Sequence, residues 1–204
     1  MAGPRHVLLL RHGATADSGR GLFTGRADVP LSPHGVEQAR AWAPVLATRD
    51  DVVALASPLS RAADTARHAG LEPVLAPALV EWDLGSLEGR DADGYRTAHP
   101  GWSLFIDGVP EGGESHAAVA ARAGEAWAQL TGAGGGLVVA VSHGQFLRAL
   151  LTTVLGLPLA AGARLSLGPA RAGLVSLRAG GHYSLTGWNL APAPLEHGLL
   201  TELT

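Results

Sequence analysis

An α/β fold of mostly parallel strands joined by helices is what the sequence predicts, and three observations predict it. Short leucine-rich and β-branched runs alternate with longer alanine-rich stretches, the rhythm of strand–helix units. The alanine-rich stretches begin and end at residues that start and stop helices. The chain of 204 residues, 47% hydrophobic and 16% charged, is long enough to bury a substantial core.

Strands are expected near 6–10, 52–56, 73–76, 137–141, 173–178 and 182–186. Between the first two, "SPHGVEQARAWAPVLATR" offers Ser32 as N-cap and Pro33 at the first helical position. Val36, Ala39, Ala43 and Leu46 then follow at helical spacing, and Pro44 should kink this helix. A second helix follows "SPLSRAADTARHAG" and stops at Gly70; a third runs from a Ser115 cap to Gly132; a fourth occupies "QFLRALLTTVLGLP". The stretch 85–114 is rich in Gly, Asp and Pro without a clear period, so it is expected as a lid-like excursion with little regular structure. "GAGGG" at 132–136 is short and leads directly into an apolar strand, so a single domain over 1–204 is expected.

Composition removes several classes of function. A net charge of -3 and a pI near 6.3 lack the basic balance that binding a polyphosphate backbone requires, so no nucleic-acid partner is expected. Cysteine is absent, which excludes a disulfide framework, thiolate metal sites and a cysteine nucleophile. The longest apolar runs, "HVLLL", "VVALA" and "LVVAV", fall far short of the ~20 residues of a spanning helix. No charged start precedes an apolar signal core, so the expectation is a cytoplasmic protein without a membrane partner.

Three unusual polar signals fall at one topological place. Arg11 and His12 follow the first strand, Arg61 lies in "SPLSR" after the second, and His143 lies in "SHG" after "LVVAV". The carboxyl ends of parallel strands share one rim, where ligands bind at the crossover crevice. Two guanidiniums and two imidazoles gathered there suit a compact dianion, because the planar Arg fork matches phosphate oxygens. Neighbouring cations keep an imidazole neutral, and a neutral ring nitrogen is a competent nucleophile toward phosphorus. On this reading Arg11 holds the phosphoryl group that His12 attacks.

The ordered set "LLLRHGATA", "LFTGRADVPLSPHGVEQA", "ASPLSRAADTA", "LVEWDLGSLEG", "GGES" and "VVAVSHGQFLRALL" resembles the histidine phosphatase superfamily, in its phosphoglycerate mutase-like branch, from residue 6 to about 155. The resemblance implies a three-layer α/β/α sandwich with a mostly parallel central sheet and no metal or other cofactor. It implies that His12 becomes phosphorylated while Arg11, Arg61 and His143 bind phosphoryl oxygens, with a further donor from the backbone of Gly144. It implies that Glu81 is the general acid and that Thr24 and Gly25 meet the rest of the substrate. The chain departs from the family's usual pattern at Ala14 and Ser18, where an acidic or amide residue and an Asn are common. Ser18 can still donate one hydrogen bond to substrate, whereas neighbouring Asp17 repels an anion.

Glu81 and Asp83 would fall on the same side of an extended segment, so spacing alone does not choose between them; the resemblance chooses Glu81. The remaining histidines, His6, His34, His68, His99, His116, His182 and His197, show no metal-ligand spacing and are expected to be surface or structural. The five tryptophans are expected in core or lid packing, with Trp82 and Trp102 able to wall the site, and Arg90 and Arg96 are expected in a solvated loop, the alternative being that they supply cations for an acidic substrate tail. The function expected is hydrolysis of a small phosphate monoester through a phosphohistidine; a homodimer is compatible with the sequence. A mutase would hold its intermediate with extra cations, and "DGVPEGGES" at 107–115 contains none. A noncatalytic phosphate-binding module is the other alternative, against which stands the retention of both histidines and Glu81.

Overall fold

The structure is a computed structural model and describes residues 6–177 and 182–192. His197 and position 178 of the fifth expected strand lie outside the described residues. The elements in chain order are β1 (His6–Arg11), α1 (Ala16–Gly19), α2 (Pro33–Arg40), α3 (Ala43–Leu46), β2 (Val52–Ala56), α4 (Ser60–His68), β3 (Val74–Leu75), α5 (Ala92–Ala98), α6 (Leu104–Asp107), α7 (His116–Gly132), β4 (Leu137–Ser142), α8 (Gly144–Val154), β5 (Ala172–Leu177) and β6 (Tyr183–Leu190). Single 3₁₀ segments cover Pro77–Leu79, Gly85–Leu87 and Leu159–Arg164.

Among the described residues the strands form one sheet in the order β3-β2-β4-β1-β5-β6. The first four are parallel, and β5 runs antiparallel to both β1 and β6. Successive side chains of a strand leave opposite faces of the sheet, so the unbroken apolar runs of β1 and β4 imply cover on both faces. Val7, Leu9, Val138 and Ala140 pack with Ala126 and Leu130 of α7 and with Phe146 and Leu150 of α8. Leu8, Leu10, Val139 and Val141 pack with Trp42, Val45 and Leu46 around α3 and with Ala62 and Ala66 of α4. The result is the three-layer α/β/α sandwich.

The Ser115 hydroxyl accepts from the N–H of Ala118 and starts α7, and Ser32 accepts from Gly35 to start α2. The expected continuous helix over 32–49 is two helices. Pro44 has no N–H to give the carbonyl of Arg40, so α2 ends at Arg40 and α3 begins at Ala43. Trp42 fills the break, fully buried, with its indole N–H on the carbonyl of Ala170 at 2.9 Å. The stretch 85–114 also departs from expectation, because it carries a 3₁₀ turn and the short helices α5 and α6. Buried Tyr95, Leu104 and Phe105 hold these helices down, and elements of four and seven residues are too short to display a helical period. Gly134 and Gly135, both at positive φ, turn the chain from α7 into β4.

Candidate active site

Strand register brings the chemistry together. Arg11 lies opposite Ser142 across the β1–β4 pair, and Ser57 N–H bonds the carbonyl of Val141 at 2.9 Å. The residues just past β1, β4 and β2 therefore stand side by side. The rings of His12 and His143 meet edge to face with centroids 5.1 Å apart. The loop after His12 passes so close to the start of α2 that a Cβ on Gly13 would overlap the carbonyl of Gly35, and one on Gly35 that of Ala14. Glycine is required at both places for steric reasons.

His12 is buried, and its Nδ1 lies 2.7 Å from the carbonyl oxygen of Gly13. A carbonyl only accepts, so Nδ1 carries the proton and Nε2 keeps the lone pair. Burial first, then the charges of Arg11 and Arg61, hold His12 well below the usual imidazole range, against the opposing pull of the Gly13 hydrogen bond. The Nδ1 of His143 accepts from Arg61 Nε at 3.2 Å, so its Nε2 donates to the Ser57 hydroxyl at 2.8 Å. Burial, His12 and the surrounding arginines push His143 down in the same direction.

Arg11 donates through Nη1 to the carbonyl of Leu167 at 2.6 Å, while its buried Nε has no acceptor. A buried N–H without a partner costs about 1–3 kcal/mol, and an arriving oxyanion would remove that penalty. Gly144 lies so near that an added Cβ would sit 3.1 Å from this Nε. Arg61 is 1% exposed and donates to the carbonyls of Ala27 (2.7 Å) and Gly25 (2.8 Å) as well as to His143. Three of its five N–H groups are thereby engaged, leaving two.

The segment holding Glu81 is not a strand, so the expected alternation of Glu81 with Asp83 does not apply. Glu81 reaches the N-terminus of α8, where Oε1 accepts from Phe146 N–H (2.8 Å) and Trp82 N–H (2.8 Å), and Oε2 from Gln145 N–H (3.1 Å). Burial raises its pKa above the usual carboxyl range, opposed by those three hydrogen bonds and by Arg61. Asp83 instead accepts from Gly85 N–H at 3.0 Å, and Glu88 fixes the loop after Thr24 by accepting from Gly25 (2.8 Å) and Arg26 (3.0 Å).

A guanidinium clamp sets the backbone beneath Glu81. Arg122 donates to the carbonyls of Ala78 (3.0 Å) and Val80 (2.7 Å), is gripped by both oxygens of Glu114 and lies 4.1 Å above the ring of Phe146. Arg26 donates to the carbonyl of Glu81 itself at 3.0 Å.

Above this support lies a cavity of about 230 Å³. Of the residues singled out in the sequence, Arg11, His12, Ser18, Thr24, Arg61, Glu81 and Gly144 line it. His143 and Gly25 stand behind the wall, each bonded to Arg61. Ser18 is on the wall, but its hydroxyl proton is committed to the carbonyl of Thr15 at 2.9 Å within a capping box, so the expected free donor is spent. Trp82 is fully buried in the core against Phe105 and does not wall the site.

Among the lining residues that escaped the sequence reading in whole or part are Arg96, Gln145 and Arg148. Arg96 is on the cavity wall rather than in a solvated loop, whereas Arg90 lies over Tyr95 and does not line the cavity. Gln145 and Arg148 also line it; Arg148 follows Gly144 by four residues, the spacing that places two residues on one helix face. Loop 107–115 does not contribute, so cations enter the cavity from α5 and α8 instead. Among the described residues no cluster of three potential metal ligands occurs, and no helix is long and apolar enough to cross a membrane.

The sequence pattern of the histidine phosphatase superfamily, branch 1, matches residues 7–191. The chain is 39% identical over 178 residues to an acid phosphatase of Mycobacterium tuberculosis (strain ATCC 25618 / H37Rv), covering 85% of this chain and 87% of that one. It is 36% identical over 171 residues to a probable phosphoglycerate mutase GpmB of Enterobacter sp. (strain 638), covering 79% and 80%. The native structure of mycobacterial glucosyl-3-phosphoglycerate phosphatase Rv2419c superposes with a TM-score of 0.80 at 31% identity, covering 92% of this chain and 99% of that one.

Proposed function

The chain belongs to the histidine phosphatase superfamily, branch 1, and on that premise we propose that it hydrolyses small phosphate monoesters through a phosphohistidine at His12. The observation that carries this reading is the pairing of a neutral His12, its Nε2 lone pair free, with the unsatisfied Nε of Arg11.

In the first step His12 Nε2 forms a bond to phosphorus as the bond to the ester oxygen breaks in line. Glu81, whose neutral form burial favours, gives its proton to the departing alkoxide. The three backbone donors fix the carboxyl group, and Oε2, with one donor against two on Oε1, is the oxygen left to carry the proton. Arg11 and Arg61 meet charge on the equatorial oxygens, and His143 holds Arg61 in place. In the second step Glu81, now a carboxylate, takes a proton from water as the water oxygen attacks phosphorus. Inorganic phosphate leaves, and His12 and Glu81 return to their starting states. Thr24, with Ala92 and Asp93 of α5, borders the space left for the alcohol portion.

A mutase uses the same first step and differs in what receives the phosphoryl group. The comparison that tests the reading is release of inorganic phosphate from 3-phosphoglycerate against its conversion to 2-phosphoglycerate, with and without a bisphosphorylated primer. Faster phosphate release supports hydrolysis; faster primer-dependent isomerisation overturns it.

A further inference from the structure

The chain leaves β1 with every polar main-chain group from His12 to Ala14 engaged. His12 N–H donates to the carbonyl of Ser142 (2.9 Å), and the His12 carbonyl accepts from Ala170 N–H (3.0 Å). Gly13 N–H donates to the Thr65 hydroxyl (3.0 Å), and the Ala14 carbonyl accepts from both the N–H (2.9 Å) and the hydroxyl (3.1 Å) of Ser32. The two groups that remain, the Gly13 carbonyl and the Ala14 N–H, belong to one peptide unit.

That unit is bound at both ends by side chains. Its carbonyl accepts from His12 Nδ1 at 2.7 Å, and its N–H donates to Gln38 Oε1 at 2.9 Å. A trans peptide is planar with its N–H and C=O pointing in opposite directions, so His12 and Gln38 stand on opposite sides of it.

Helical spacing puts Gln38 there. Ser32 caps α2 and holds the Ala14 carbonyl, Gly35 lies against Ala14 without a side chain, and Gln38 follows three residues later on the same face. The amide is also matched at its other end, where its nitrogen donates to Nε2 of His34 at 3.1 Å. A main-chain N–H on one side accepts nothing, so the amide oxygen must face Ala14 and the amide nitrogen His34.

We propose that Gln38 is a positioning residue for the nucleophile: through the Gly13–Ala14 peptide it orients and strengthens the hydrogen bond that holds His12 Nδ1. A hydrogen bond given by an amide N–H polarises the carbonyl of the same unit and makes it a better acceptor. The gain is largest after attack. When the Nε2 lone pair forms the bond to phosphorus and the ester oxygen leaves with the proton of Glu81, the ring keeps its Nδ1 proton and becomes a cation. The polarised carbonyl then meets that positive charge, and no proton moves along the relay. A carboxylate plays this part behind a general-base histidine; a neutral amide does so here without adding negative charge behind a pocket for a dianion. The inference rests on the phosphohistidine reading.

Gln38→Met keeps the length of the side chain and removes the acceptor. The pre-steady-state rate constant for phosphorylation at saturating substrate should fall about tenfold, as it does when the outer partner of a ligating histidine is lost. The loss should be the same for alkyl phosphates and p-nitrophenyl phosphate, because one nucleophile serves both. In ¹⁵N-histidine-labelled protein without substrate, the His12 Nδ1 proton resonance, assigned by its absence from His12→Ala, should move upfield in Gln38→Met. It should move downfield in Gln38→Glu, which keeps an acceptor and should recover most of the rate. An unchanged rate constant in Gln38→Met, a loss confined to alkyl phosphates, or a resonance that neither variant moves overturns the proposal. If Gln38→Met does not fold, the resonance in Gln38→Glu decides alone. Wild type that forms no phosphohistidine overturns the phosphatase reading instead, and the resonance, which needs no substrate, still tests Gln38.

Discussion

The Nδ1 of His12 donates to the carbonyl of its own neighbour Gly13 at 2.7 Å, which turns the unprotonated Nε2 toward the cavity chemistry. In the proposed mechanism Glu81 needs the opposite state, a proton in place, and burial raises its pKa in that direction. These two requirements bound the activity. Below the depressed pKa of His12, well under 6.5, the nucleophile is protonated and activity falls. Above the raised pKa of Glu81 the acid is lost and activity falls again. The expected kcat/KM profile is a bell with an acidic optimum, measured with an alkyl phosphate. An optimum on the alkaline side would contradict the paired assignment.

Glu81→Gln keeps size and polarity but delivers no proton. Alkoxide departure requires one, and general acid catalysis contributes about 100-fold to 10,000-fold, whereas nitrophenolate leaves unaided. Pre-steady-state bursts should therefore fall by that factor with alkyl phosphates and far less with p-nitrophenyl phosphate. Equal losses would remove Glu81 as the acid.

Arg122 does not line the cavity, yet it holds the carbonyls of Ala78 and Val80 and reaches that of Glu81 itself at 3.4 Å. Arg122→Met should move the alkaline limb of the pH profile and lower kcat for alkyl phosphates about tenfold or more, as a misplaced acid does. A loss of stability with an unshifted limb and equal effects on both leaving groups would assign it a purely structural role.

How much of this was legible in sequence follows from where each residue lies. Strands β1 and β4 stood out because both faces are covered and the apolar runs are unbroken. His12, Arg61 and His143 stood out because polar groups at the carboxyl ends of such strands are conspicuous. Arg148 did not, since it sits in an otherwise apolar helix where a lone cation reads as a solvated turn. The choice between Glu81 and Asp83 was hidden because their segment has no regular period, and Ser18 lost its expected donor to a local capping box that side-chain identity alone does not reveal. Helices α5 and α6 were too short to announce themselves.

A Cβ at Gly35 would overlap the carbonyl of Ala14, in the loop that carries His12. Gly35→Ala should destabilise the fold by about 1–3 kcal/mol, the usual penalty of overpacking, and reduce activity by displacing that loop. Thermal unfolding checks the first, and an unchanged midpoint would show that the loop yields freely.

Activity should survive a chelator, because Arg11 and Arg61 already supply the charge that a phosphoryl group requires. Dialysis against EDTA followed by an assay with and without added divalent ions decides it. Loss with EDTA and recovery with one ion would demand a different account of charge neutralisation.

The central claim is a covalent phosphohistidine, and trapping it is the most direct measurement. Wild-type protein quenched during turnover of a ³²P-labelled ester should carry acid-labile, base-stable label, placed on His12 by peptide mapping, and His12→Ala should carry none and turn over nothing. Undiminished turnover by His12→Ala, or label confined to another residue, would contradict the mechanism.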